Sequence, residues 1–189
     1  MTNIFTKLVT VLIFLIVLKL FLVISSLAQE VEPLDDFTIL NGKVVKLYNT
    51  GKFTQAILLA GKVLGQMEAQ LGSEHSLLRA PLNNLAALHT AHGRFSEAEV
   101  LYVRAAKIAE KTLGPTHSIF VTSLINLASC YEAQELYNEA EYFYKRALSI
   151  REKKYGDAHP DVIVMRNILA AFYEAQNKFT NAETLISAQ

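Results

Sequence analysis

Residues 124–148, LINLASCYEAQELYNEAEYFYKRAL, hold two amphipathic helices and the turn between them. Leu124, Leu127, Ala128 and Tyr131 fall at i, i+3, i+4 and i+7, the spacing of one helix face. Ala140, Tyr144, Ala147 and Leu148, at i, i+4, i+7 and i+8, mark another helix face further on. The pattern recurs along the chain at a constant stride. Phe53, Phe95, Tyr137 and Phe179 are each 42 positions apart, as are Ala56, Ala98, Ala140 and Ala182. The same step joins Gly72, Gly114 and Gly156, then His75, His117 and His159. Four columns in register describe a repeat, so nearly everything after residue 28 is built from one unit.

Each unit reads as a helix pair. Between the two helices stands Gly51, Gly93, Glu135 or Asn177. Glycine and asparagine readily take the left-handed conformation that ends a helix, and Glu135 is the strained member. Thr54, Ser96, Asn138 and Thr180 follow as expected N-caps, and Glu99, Glu141 and Glu183 are placed to close capping boxes. The aromatic column just before them is expected to staple onto Leu58, Val100 or Tyr142. A single pair buries too little surface to fold alone, and stacked pairs supply the missing core. The expected fold is all-α, a right-handed solenoid of stacked helix-turn-helix units, preceded by an N-terminal hydrophobic helix. Its units run over about 40–78, 79–120, 121–162 and 163–189.

Composition supports packing as the source of stability. The chain has 189 residues, 51% of them apolar, with one Cys, so no internal disulfide can form. Lys and Arg number 18 and Asp and Glu 18, which gives no global charge to draw nucleic acid or acidic lipid. Residues 1–28 stand apart: Leu8 to Ile24 is almost wholly Leu, Ile, Val and Phe, flanked by Lys7 and broken by Lys19. Ser26-Leu27-Ala28 suits a signal-peptidase site before Gln29, and an uncleaved membrane anchor is the alternative. The protein is therefore expected to be secreted or periplasmic, or else membrane-anchored. Residues 29–39, with Glu30, Glu32, Asp35 and Asp36 beside Pro33, read as an acidic linker.

Three motif runs carry a family resemblance: Leu82-Asn83-Asn84-Leu85-Ala86, Gly93-Arg94-Phe95-Ser96-Glu97-Ala98-Glu99 and Leu113-Gly114-Pro115-Thr116-His117. Ile125-Asn126-Leu127-Ala128 and Tyr155-Gly156-Asp157-Ala158-His159-Pro160-Asp161 restate them. Together they resemble tetratricopeptide repeats of the longer, kinesin-light-chain-like kind, over roughly Leu40 to Gln189. The resemblance implies a non-catalytic protein-interaction module whose first helices line a concave groove. The positions it points to are Asn83, Asn84, Ala87, Thr90, Ile125, Asn126, Ser129, Asn167, Ala171 and Glu174. None is basic, which argues against a groove that grips a terminal carboxylate. Asn both donates and accepts, so it suits a ligand's backbone. Part of the column is alternatively expected to orient neighbouring helices.

The first unit departs from the pattern, with Lys43 where Leu85, Leu127 and Leu169 stand later, and Ala60 in place of Tyr102 and Tyr144. The last stops about ten residues into its second helix. A structural subunit that docks or self-associates through that last unit is the alternative function. No catalytic, cofactor or metal site is expected. Successive His residues of the column lie too far apart to share an ion, and they read as hydrogen-bonding turn residues. Cys130 reads as a small buried hydrophobe, His89 and His92 as surface groups. The Tyr and Phe set falls in core columns, and Lys107, Lys111, Lys145, Arg146, Arg151, Lys153 and Lys154 are interleaved with Glu on an outer face. Nucleic acid is thus not an expected partner; a protein or peptide is, with membrane contact through the N-terminal segment.

Overall fold

A computed structural model describes residues 34–187 and Lys19. The chain divides into two compact units, Met1–Ile39 and Leu40–Gln189. The signal or anchor segment, Lys19 apart, and linker residues 29–33 lie outside the described residues. Among those described, no helix is long and apolar enough to cross a membrane. Eight helices follow in order: α1 Leu34–Asn49, α2 Phe53–Leu71, α3 Arg79–Ala91, α4 Phe95–Leu113, α5 Ser118–Glu132, α6 Tyr137–Tyr155, α7 Pro160–Ala175 and α8 Phe179–Ser187. A 3-10 turn, Ser76–Leu78, leads into α3. The expected all-α solenoid of stacked pairs is the fold observed across the second unit. Helix α1 starts at Leu34, within the stretch read as linker.

The turn inside each pair is the expected left-handed one. Gly93 has φ +73°, and the non-glycine members Glu135 and Asn177 take φ 59° and 60°. Beyond each, an amide reaches back to a carbonyl in the last turn of the preceding helix: Lys52 to Leu47 at 2.9 Å, Arg94 to His89 at 2.9 Å, Leu136 to Tyr131 at 3.0 Å and Lys178 to Tyr173 at 2.9 Å. These are Schellman closures, which satisfy carbonyls the helix end would otherwise strand.

Capping differs from expectation. The second helices begin at the aromatic column itself, with Lys52, Arg94 and Leu136 at the N-cap and no side-chain cap bond. Thr54, Ser96 and Asn138 thus lie inside the first turn. The Schellman closure hands the chain to the next helix two residues sooner than a capping box would. The staple is displaced for the same reason: Leu58, Val100 and Tyr142 are 69%, 67% and 60% exposed.

The turn between pairs uses the other two columns. Gly114 takes φ 89° and ψ 162°, a region essentially closed to residues with a Cβ, and its amide closes α4 on the Glu110 carbonyl at 3.0 Å. His117 then caps α5, its Nδ1 accepting from the Ile119 amide at 3.2 Å. His75 and His159 do the same for the Leu77 and Asp161 amides at 3.2 and 3.1 Å. The turn role read from the sequence holds for the whole column.

Alanines let the pairs close up. Ala56, Ala98 and Ala140 are fully buried and Ala182 nearly so. Along the outer helices, Arg104 pairs with Glu68, Lys111 with Glu74, and Arg146 with Glu110 at 3.4 Å. These partly or fully exposed rungs add little stability. They do set one pair against the next.

Candidate functional site

Within the second unit, residues 40–49 of α1 and helices α3, α5 and α7 stand side by side, and the ten positions singled out from sequence lie on the last three. Some of their side chains serve the stack itself. Asn84 donates from Nδ2 to Asn41 Oδ1 on α1 at 2.9 Å. Thr90 donates to the Ala86 carbonyl at 3.0 Å and reaches Cys130 Sγ on α5 at 3.7 Å. Tyr144 rises from α6 and donates its hydroxyl proton to Glu132 at 2.9 Å, so Ser129, also 2.9 Å away, is the donor to the phenol. Burial pushes that phenol up to about 12. Asn83 Oδ1 is buried without a hydrogen-bond partner, and Ile125 packs half-buried on the core cluster shared by α4 to α8. The alternative of helix orientation therefore describes Asn84, Thr90 and Ser129.

The remaining positions face outward. Ala87, Asn167, Ala171 and Glu174 are exposed, and Asn126 is half-buried with no side-chain hydrogen bond among the described residues. Ala87, Asn126, Asn167 and Ala171 place short side chains on the first helices of three successive pairs.

Sequence reasoning missed the contribution of α1. Val44, Val45 and Tyr48 join Asn84, Ala87 and Leu88 around an apolar cleft of about 220 Å³. Val45 and Tyr48 are 48% and 43% exposed at its mouth, while Val44 and Leu88 are buried at its floor. The signal was present, since the 42-residue stride puts Val45 in the column of Ala87 and Tyr48 in that of Thr90.

The capping-column glutamates were also misread. Glu99 accepts from the Tyr131 hydroxyl at 2.8 Å and Glu141 from Tyr173 at 3.0 Å, each tyrosine belonging to the next pair. Burial, helped by Glu99, pushes the Tyr131 phenol up to about 12. Glu141 also holds Lys145 at 2.6 Å, the helix pair anticipated from spacing, and that ammonium draws the carboxyl below its usual range. The unfolded-state carboxyl titrates higher, so this contribution is full above the ordinary glutamate range. It fades as pH falls through the depressed value.

Candidate reactive groups sit in structural places. Cys130 is 1% exposed, and burial pushes its thiol up. His92 is exposed, but His89 is half-buried with Nδ1 enclosed and unpartnered, so it is not the surface group expected; burial lowers its pKa. Among the described residues, no three His, Cys, Asp or Glu side chains gather as metal ligands would. Of the basic set, Arg151 donates to the Asp161 carbonyl in the first turn of α7 at 2.8 Å and Lys154 to that of Thr116 in an inter-pair turn at 2.9 Å.

Two models of the tetratricopeptide repeat match the sequence, over residues 82–119 and 118–186, together more than half of the chain. Among solved structures, BtubC (BKLC) from P. vanneervenii superposes with a TM-score of 0.69 at 22% identity, over 80% of this chain and 60% of that one. A protein of Podosopora anserina assigned as a kinesin light chain, with nearly identical TPR-like repeats, gives a TM-score of 0.68 at 25% identity, over 79% and 71%. A variant of it gives the same figures. The chain thus spans 60% of the length of the first of these structures. No curated protein matches the sequence significantly.

Proposed function

We propose, since the chain belongs to the tetratricopeptide-repeat family and is of its kinesin-light-chain-like kind, that it is a non-catalytic interaction module holding a partner segment along the face of α1, α3, α5 and α7. The observation that carries this reading is the run of small outward side chains, Ala87, Asn126, Asn167 and Ala171, bordered by an apolar cleft at one end. Such a surface lets an extended or helical segment approach closely, with Asn126 free to meet its backbone amides. The principal groove set is therefore Ala87, Asn126, Asn167, Ala171 and Glu174.

Asn126→Arg with Ala171→Arg fills the groove with long side chains from one half-buried and one exposed position. A partner crosslinked from native membranes should be lost by at least about tenfold in this double variant, with circular dichroism unchanged. Retention of the partner would overturn the reading.

One observation favours a second reading, a structural subunit that docks through α8. Ile186 is 47% exposed, although its column mates Ala60, Tyr102 and Tyr144 are 5%, 6% and 3% exposed. Under that reading, Leu185→Ser with Ile186→Ser changes the oligomeric mass and the groove variant does not.

The location of the protein rests on residues 1–28, which carry the charged flank, apolar run and small-residue site of an export signal. N-terminal sequencing of the native protein should begin at Gln29. A start at Met1 in membrane-bound material would assign the segment as a retained anchor instead, and a start at Met1 in a soluble fraction would exclude both.

A further inference from the structure

We propose that the cleft between α1 and α3 is a socket for one phenylalanine side chain of the partner segment, a proposal that rests on the groove reading above. The protein's own seams supply the template. Between α3 and α5 the space is filled from below by Tyr102 of α4, which clusters with Leu127 and Cys130. Between α5 and α7 it is filled by Tyr144 of α6, whose ring lies 5.3 Å from that of Phe172 and whose hydroxyl meets Ser129 and Glu132 at 2.9 Å. At the first seam the same column holds Ala60. That column has no ring there, and residues of α1 and α3 at the same seam line a cleft of about 220 Å³.

The correspondence is residue by residue. Two repeat lengths on from Val45, Tyr48 and Leu88, which line the cleft, come Ser129, Glu132 and Phe172, the three residues that touch Tyr144. Three of the six residues that line the cleft are thus the counterparts of contacts an aromatic side chain makes between α5 and α7. Its volume exceeds the ~150 Å³ of an apolar cavity able to take benzene. Exposed Val45, Tyr48 and Ala87 leave it open on the groove side.

The walls lack the carboxylate of the filled seam. Where Ser129 and Glu132 receive the Tyr144 phenol, the first seam offers Val45 and Tyr48, and the Asn84 amide group already donates to Asn41. A ring without a hydroxyl therefore gives up no carboxylate bond by entering there. Edge or offset packing on Tyr48 would favour a ring over an aliphatic side chain of similar size.

The full chain with isotope-labelled methyl groups, titrated with N-acetyl-phenylalaninamide, should show saturable shifts at Val44, Val45 and Leu88. N-acetyl-leucinamide should bind roughly threefold more weakly or worse, for want of ring packing. Ala60→Phe plugs the socket from inside, and Ala87→Leu narrows it from the exposed side without touching the core. Each should weaken the phenylalaninamide response by about tenfold or more by occupying the binding volume. Absence of saturable shifts in the wild type overturns the proposal. So do shifts that persist in both variants, or equal binding of the leucine amide. The crosslinked partner separates this from the groove reading. Loss in the Asn126→Arg and Ala171→Arg variant with full retention in Ala60→Phe removes the socket and keeps the groove, whereas retention in both removes the two together.

Discussion

Arg166→Ala should lower stability by about 3 kcal/mol, and Arg166→Leu should change it by less than about 1 kcal/mol in either direction. Arg166 stands on α7 in the column of Leu82 and Leu124, and it is as enclosed as they are, its side chain 6% exposed. Its Nη2 lies 2.8 Å from Glu152 Oε1 on α6 and 2.7 Å from Asp157 Oδ1 in the turn that follows. Nε adds a 3.3 Å bond to Glu152, and Nη1 one of 3.4 Å to the Asp157 carbonyl. The acids are much less enclosed than the base, at 33% for Glu152 and 77% for Asp157. Removing the guanidinium therefore returns two carboxylates to water and does not strand them in the core. What Ala loses is volume between α6 and α7, and Leu restores most of it, as the earlier units already do with their own leucines. Urea titrations of the three proteins decide the matter. Equal losses for Ala and Leu would mean that the ion network, and not the filled space, fixes this seam.

The same distinction between identity and surroundings explains which features were legible in the sequence. The helix pairs, their turns and the histidine caps came through because each rests on a residue type with one dominant local use. Gly114 at φ 89° and His117 at the start of α5 are such residues. The start of the second helices did not, although Ser96 and Glu99 spell a capping box. The Schellman closure at Gly93 and Arg94 launches α4 at once, and Glu99 is left to take the Tyr131 hydroxyl of the neighbouring pair. That competition is tertiary, so local spacing cannot reveal it.

The groove was half legible for a related reason. Asn84 and Asn126 occupy one column and look alike in sequence. Asn84 bonds Asn41 on the preceding first helix, whereas Asn83, at the same offset from Asn126, keeps its Oδ1 unpartnered, and sequence spacing cannot tell the two cases apart. The cleft beside Val45 was half legible too: the sequence sets Ala60 against Tyr102 and Tyr144, but only the contacts of those tyrosines show what a ring fills at the other seams.

The largest single loss should come from Leu127→Ala, about 3 to 5 kcal/mol, together with a split of the unfolding curve into two steps. Leu127 is 3% exposed and clusters with Ala86 of α3, Ala98 and Tyr102 of α4, and Cys130 beside it on α5. It packs beside Tyr102 in a seam whose other buried members, Ala86, Ala98 and Cys130, are small and cannot move in to refill the hole. In an array where each pair leans only on its neighbours, a weak central seam uncouples the two halves, whereas the same loss at an end merely frays it. Leu185→Ala, at a half-buried site on α8, provides the comparison and should leave the transition single. The chain lacks tryptophan, so tyrosine emission and circular dichroism are the matched probes for a urea titration. A single shared transition in Leu127→Ala would place the coupling elsewhere in the seam. Phe120 and Leu124 of α5, which join Ala106 and Ala109 of α4 in the larger core cluster, would then be carrying it.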